Sequence, residues 1–108
     1  MVDYSLFKNL DIRIGTIISA NEFPEARNPS YKIKIDFGEL GILRSSAQIT
    51  KLYEPQNLID KQIIAVLNLG SRKIANYESQ CLILGAVDNK NVFLLKPIEK
   101  TLNGERVF

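Results

Sequence analysis

The sequence predicts an all-β domain, a small barrel of five strands carrying short helices, and three observations predict it. Apolar residues alternate with polar ones in short runs: Ile33, Ile35 and Phe37 among Lys32, Lys34 and Asp36, and Ile12 and Ile14 between Asp11 and Arg13. That period of two marks half-buried strands. Turn chemistry separates the runs, at Gly38 to Gly41, at Asp88 to Asn91 and around Pro24 and Pro29. Finally, 108 residues that are 45% apolar and 24% charged supply one hydrophobic core and no more. A single domain over residues 1–108 is therefore expected.

The elements follow in order. Val2 to Leu10 reads as a short helix, with Asp3 able to cap it, Val2 and Phe7 at staple spacing, and Leu6, Phe7 and Leu10 on one face. From Asp11 to Ile18 a strand changes phase at Gly15, which suggests a bulge or a sharp bend of the kind a small barrel uses to curl. Phe23 to Pro29 is a loop in which both prolines hold the preceding residue extended. Lys32 to Phe37 and Ile42 to Ser46 are expected to pair as a hairpin across Gly38 to Gly41. Ile49, Leu52 and Tyr53 fall at helical spacing before Pro55, so one or two helical turns are expected at residues 48–53. A turn at Leu58 to Lys61 leads into a fourth strand, Gln62 to Leu67, and Asn68 to Lys73 is expected as a loop. Cys81 to Val87 and Val92 to Leu95 are two further apolar runs around the Asp88 to Asn91 turn, and Lys100 to Phe108 is a C-terminal extension with a last short pairing segment.

Several chemistries are excluded or disfavoured by composition. There is no histidine, so neither a Cys/His zinc site nor a His-based triad can be built. The lone Cys81 has no internal disulfide partner and lies in an apolar run, where a buried structural thiol is expected. Paired carboxylates in a recognisable setting, a nucleophile elbow, a glycine-rich phosphate loop and a metal-ligand cluster are all missing from the pattern. The expectation is a binding protein with no catalytic residues, no cofactor and no metal. The longest apolar stretches are too short to span a bilayer and the N-terminus lacks a leader-like run, so a cytoplasmic protein without membrane insertion is expected. A net charge of +2 means that any nucleic-acid partner has to be held by local basic clusters.

Five principal strands with a helical segment between the third and fourth is the order of the OB fold, a partly open five-stranded Greek-key barrel that binds through one face and its loops. Within that frame the segment Leu10-Asp11-Ile12-Arg13-Ile14-Gly15-Thr16-Ile17 resembles the opening signature of the tRNA-binding-domain family. Pro24 to Arg27, Lys34 to Gly38, Ser45 to Thr50, Ala65 to Asn68, Arg72 to Ala75 and Leu94 to Pro97 extend the resemblance over nearly the whole chain. The second and third of these blocks are similar to the family's secretion-chaperone branch, the CsaA proteins. Leu69-Gly70-Ser71 stands where that branch usually has Phe-Pro-Pro, and Ser79-Gln80 looks more like the members linked to methionyl-tRNA synthetase. The resemblance implies a homodimer, assembled through the terminal helix and late strands, that binds unfolded or export-bound polypeptide. Structure-selective tRNA binding by the same surface is its alternative.

Candidate ligand-binding residues fall in three groups. Asn68, Ser71, Arg72 and Lys73 leave the apolar fourth strand and offer two adjacent cations, a hydroxyl and an amide to phosphate or polypeptide backbone. A merely solvated loop is the plainer reading. Arg44, Ser45, Ser46 and Gln48 lie at the end of the third strand, near the face where OB domains bind; Ser46 as a cap on the following turn is equally consistent. Ser79 and Gln80 enter the next strand and either meet ligand or seal the barrel end. Lys32 and Lys34 read as a solvated face, and Tyr31, Tyr53 and Tyr77 as packing residues before stacking platforms.

Overall fold

The computed structural model describes all residues 1–108. Helix α1 spans Tyr4–Lys8, with the Asp3 carboxylate accepting the Ser5 N–H at 3.2 Å as its N-cap. The strands are β1 (Ile12–Glu22), β2 (Tyr31–Asp36), β3 (Ile42–Ala47), β4 (Gln62–Val66), β5 (Arg72–Ile74), β6 (Tyr77–Ser79), β7 (Leu82–Ile83), β8 (Gly85–Asp88) and β9 (Asn91–Leu94), and helix α2 spans Pro55–Leu58. One antiparallel sheet runs in the order β3-β2-β1-β4-β7, while β5-β6 and β8-β9 form separate hairpins. The five-stranded order is that of an OB-type barrel, as the strand count predicts.

The barrel closes because β1 is long enough to serve two neighbours. Its first half pairs with β4, from Ile12↔Val66 to Thr16↔Gln62, and its second half with β2, from Thr16↔Asp36 to Glu22↔Tyr31. Thr16 is the crossover, paired on both sides. Of the two alternatives at Gly15, the bulge falls instead at Ile18, where the register slips between Ile17 and Ser19. Gly15 has another role. Ile12 and Ile14 are buried on one pleat face, outside the main core, whereas Ile17 is buried on the other, inside it. A side chain at Gly15 would meet Ile35 Cγ2 at 2.6 Å and the Phe37 ring at 2.7 Å, so this inward position must be empty for the sheet to curl.

Ile17, Ile33, Ile35, Phe37, Leu58 and Ile63 fill the interior, each fully shielded from solvent. Each contributes about 1.5–3 kcal/mol relative to exposure. Cys81 joins them as a buried free thiol, as expected, and burial pushes it up to about 11, with the Ser45 hydroxyl acting in the opposite direction.

The seam between β3 and the chain entering β7 is sealed by side chains as well as backbone. Gln80 N–H donates to the Arg44 carbonyl at 2.7 Å while Gln80 Oε1 accepts the Arg44 N–H at 2.9 Å. Ser79 Oγ accepts the Ser46 N–H at 3.2 Å, and Ser45 Oγ donates to the Cys81 carbonyl at 2.9 Å.

Three local expectations are corrected. The helical turns expected at residues 48–53 lie instead at Pro55–Leu58: Pro55 opens the helix at a position where its missing N–H costs nothing, and Ile49 and Tyr53 pack on the core from non-helical backbone. The loop expected from Asn68 contains β5, which turns at Ala75 and Asn76 into β6, a hairpin that no alternating pattern announces. The single run Cys81 to Val87 is also broken, at Leu84, into β7 and β8. The C-terminal pairing segment forms as expected: Gly104 N–H donates to the Ile14 carbonyl, Ile14 N–H to Glu105, and Val107 N–H to Ile12. It thereby borders the otherwise open edge of the first half of β1.

Candidate functional site

A groove of about 410 Å³ runs along the barrel face between the β1–β2 loop, the end of β3, the β5–β6 hairpin and the β7–β9 region. Its floor is aliphatic, made by Ala47, Ile49, Ile83, Val92 and Leu94 with Ile74 on the hairpin side. Polar groups stand around it: Arg27, Asn28 and Ser30 from the loop, Ser46 and Gln48 from β3 and beyond, and Arg72 from β5. Two arginines and no carboxylate line it, and neither does any aromatic ring. A smaller recess of about 160 Å³ continues it past Leu69 and Gly70, sharing Ser46, Arg72, Ile74 and Leu82.

The hairpin decides which cation faces the groove. Arg72 pairs with Ser79, Lys73 with Glu78 and Ile74 with Tyr77, so Arg72, Ile74, Tyr77 and Ser79 share the face turned to the barrel. Lys73, adjacent to Arg72 in sequence, points the other way. Ser71 is exposed at the base of the hairpin.

The remaining sequence candidates spend their polar atoms within the chain. Asn68 is a tether: its Oδ1 accepts the Asp11 N–H at 2.8 Å and its Nδ2 donates to the Asn9 carbonyl at 2.7 Å, tying the end of β4 to the joint between α1 and β1. Ser45, Ser79 and Gln80 form the seam described above, and Ser46 belongs to β3 and does not cap a helix. Arg44 sits 3.3 Å from Glu78 Oε1 on the outer wall, away from the groove. Ser79 joins Ser46 and Arg72 in the smaller recess, and Ser46, Gln48 and Arg72 are thus the candidates that the fold brings together at the groove. Arg27 and Asn28 join them without having been singled out. Arg27 closes the block Pro24 to Arg27, a loop that carries a cation, and Asn28 follows it directly.

The tyrosines lie elsewhere. Tyr31 is buried and donates its hydroxyl to the Tyr53 carbonyl at 2.7 Å, and the Tyr53 hydroxyl accepts the Leu94 N–H at 3.0 Å. Tyr77 packs its ring against Phe23 with centroids 5.5 Å apart. Burial raises the Tyr77 phenol, and nearby Arg44 opposes that shift.

Barrel order and groove together define a small OB-type domain that presents one polar-rimmed apolar face. The chain matches the family described as "Putative tRNA binding domain" over residues 12–106, and it belongs to that family. Among solved structures it is similar to the chaperone CsaA of Bacillus anthracis, at 46% identity and a TM-score of 0.96 over 100% of this chain and 99% of that one. The CsaA chaperone protein of Picrophilus torridus is similar at 43% identity and a TM-score of 0.94, covering 100% of both chains. Among curated proteins, methionine-tRNA ligase of Pyrococcus horikoshii is 36% identical over 106 residues, which are 98% of this chain and 14% of the ligase. The chain therefore spans about one-seventh of the length of such ligases. No helix is long and apolar enough to cross a membrane.

Proposed function

We propose that this protein is a non-catalytic, CsaA-like chaperone of the cytoplasm that binds unfolded or export-bound polypeptide along the groove as a homodimer. The observation that carries this reading is the make-up of the groove, an aliphatic floor without a single aromatic ring. Single-stranded nucleic acid is held on OB faces largely by stacking its bases on aromatic side chains, so this floor disfavours single-strand binding and leaves folded tRNA, read by shape and backbone, as the competing ligand. Aliphatic floors suit the side chains of an extended polypeptide, with Arg27, Arg72, Asn28 and Gln48 placed to meet its carbonyls and carboxylates. The near-complete overlay on two CsaA chaperones supports the same reading.

Homodimerisation is supported by surface that one barrel leaves open. Tyr4, Leu6, Leu102 and Phe108 are all more than half exposed, and α1 and the C-terminal residues Arg106 to Phe108 enclose an apolar recess of about 120 Å³.

Structure-selective tRNA binding is the second reading, favoured by the family and by Arg27, Arg72 and the outward Lys73 as phosphate contacts. A competition experiment separates the two. Fluorescently labelled, permanently unfolded polypeptide is titrated with the protein at several salt concentrations and then competed with unmodified tRNA. Binding of polypeptide that persists at high salt, weakened about tenfold by Arg72→Ala, is the expected outcome. Tight tRNA binding that falls steeply with salt, without measurable polypeptide binding, would establish the second reading and reject the first.

A further inference from the structure

The β5–β6 hairpin is a two-stranded sheet, and such a ribbon is marginally stable alone. Its outer strand β5 makes no strand pairing except to β6. The position of Arg72 over the groove therefore depends on what fastens β6 to the barrel. At the base, Ser79, the cross-strand partner of Arg72, is fixed by the Ser46 N–H. Toward the tip Arg44 of β3 donates to the Glu78 carbonyl and carboxylate, both at 3.3 Å on the exposed outer side, and the one fastening side chain that the hairpin turns to the barrel is Tyr77. Its ring meets Phe23 edge-on at an interplanar angle of 65°, and the Lys32 ammonium lies 5.5 Å from its centroid and 5.0 Å from that of Phe23. The Arg44 guanidinium lies 5.9 Å from the same ring while pairing with Glu78, the next residue of β6. The Tyr77 hydroxyl donates to the Ile33 carbonyl at 3.4 Å. Two strands of the main sheet thus grip one aromatic ring of the hairpin.

We propose that Tyr77 is a positioning residue for the groove: clasped by Phe23, Lys32 and Arg44 on the barrel wall, it holds β5 in place so that Arg72 and Ile74 stand over bound ligand. Tyr77 does not line the groove itself, and its cross-strand partner Ile74 does. This inference rests on the polypeptide-binding reading above.

A double-mutant cycle tests it, with labelled, permanently unfolded polypeptide as the probe. Tyr77→Ala and Arg72→Ala are each expected to weaken binding about tenfold, and Tyr77→Ala in the Arg72→Ala background to weaken it less than about threefold further. Tyr77→Phe, which keeps the ring and loses one long hydrogen bond, is expected to bind within about threefold of the parent. Independent effects that multiply to about a hundredfold would overturn the proposal, as would unchanged binding in a folded Tyr77→Ala protein. If Tyr77→Ala does not fold, Lys32→Ala, which loosens the clasp and keeps the ring, takes its place in the cycle and must show the same coupling to Arg72. Should the parent protein bind no polypeptide, the functional reading fails by itself. The clasp is then judged by amide hydrogen exchange: it stands if Tyr77→Ala speeds exchange at residues 72–79 while β1 to β4 remain protected, and falls if it does not.

Discussion

Lys90 is where a single residue works against its own backbone. The β8–β9 hairpin turns through Asn89 and Lys90, both with positive φ, at 49° and 71°, between the paired residues Asp88 and Asn91. Two-residue turns with positive φ at both positions favour Asn followed by Gly, because a β-carbon strains the left-handed region. Asn89 satisfies the first half of that preference and Lys90 does not. Lys90→Gly is expected to stabilise the protein by about 1 kcal/mol, read as a raised urea midpoint at unchanged slope. Cys81 gives a residue-scale prediction of opposite sign. Its thiol, ordinarily near 9.0, is pushed up to about 11 by burial in the folded chain. Between those values the unfolded thiol has lost its proton and the folded one keeps it, so folding stability is complete below pH 9 and declines as pH rises toward 11. The loss is roughly 2–3 kcal/mol. The buried Tyr31 hydroxyl, raised by burial and then by Glu22 and Glu54, adds in the same direction. Urea unfolding at pH of about 8 and 10.5 measures the decline, and Cys81→Ala should remove the thiol's share of it.

At the scale of elements, legibility in the sequence tracks how local the cause is. β2 and β3 are readable because alternation and a glycine-bounded turn lie within a few residues, and they form as expected from Tyr31 to Ala47. α1 is readable from its cap. The β5–β6 hairpin is not, because its strands are three residues each and are held by Tyr77 and Ser79 reaching to β2 and β3, contacts that span more than thirty positions. For the same reason sequence cannot tell that Asn68, Ser79 and Gln80 are tethers and Arg72 is a groove residue: all are polar residues near the ends of apolar runs. The pairing of the C-terminal segment with β1 carries an element-scale prediction. Thr101 and Gln62 exchange hydrogen bonds at 2.7 and 3.1 Å, and beyond them Gly104, Glu105 and Val107 satisfy the backbone of Ile12 and Ile14. Truncation after Thr101 leaves that strand edge open. The truncated chain is expected to melt at lower temperature and to form species larger than the parent in size-exclusion chromatography, since bare edges recruit other strands; a species of the parent's size with an unchanged melt would show that the segment is dispensable.

For the whole molecule, the question is what keeps α1 helical. The helix has five residues and none of them is buried within the chain. Isolated helices of that length are unstable in water, because the first turn costs more order than its bonds return. Within one chain α1 is held by the Arg106 guanidinium on the Lys8 and Leu10 carbonyls and by the Asn68 side chain on Asn9, all beyond or at its C-terminal end. Its first turn has the Asp3 cap and the Tyr4 ring, which stacks on Phe7 at 6.3 Å under the Lys8 ammonium, contacts made within the helix itself. Yet Tyr4 projects apolar surface beside Phe108 in the recess that both line with Phe7 and Leu10, and this face stays wet unless a second copy covers it. In the proposed homodimer, docking on a two-fold partner supplies what the chain alone lacks, and this face shares no lining residue with the groove. Tyr4→Arg places a charge in that face without touching the barrel core. The variant is expected to halve the mass measured by light scattering at micromolar concentration and to lose a small amount of helical circular dichroism, while the barrel still unfolds cooperatively. If the parent chain is already monomeric at that concentration, α1 is stable without a partner, and the proposed dimer is wrong.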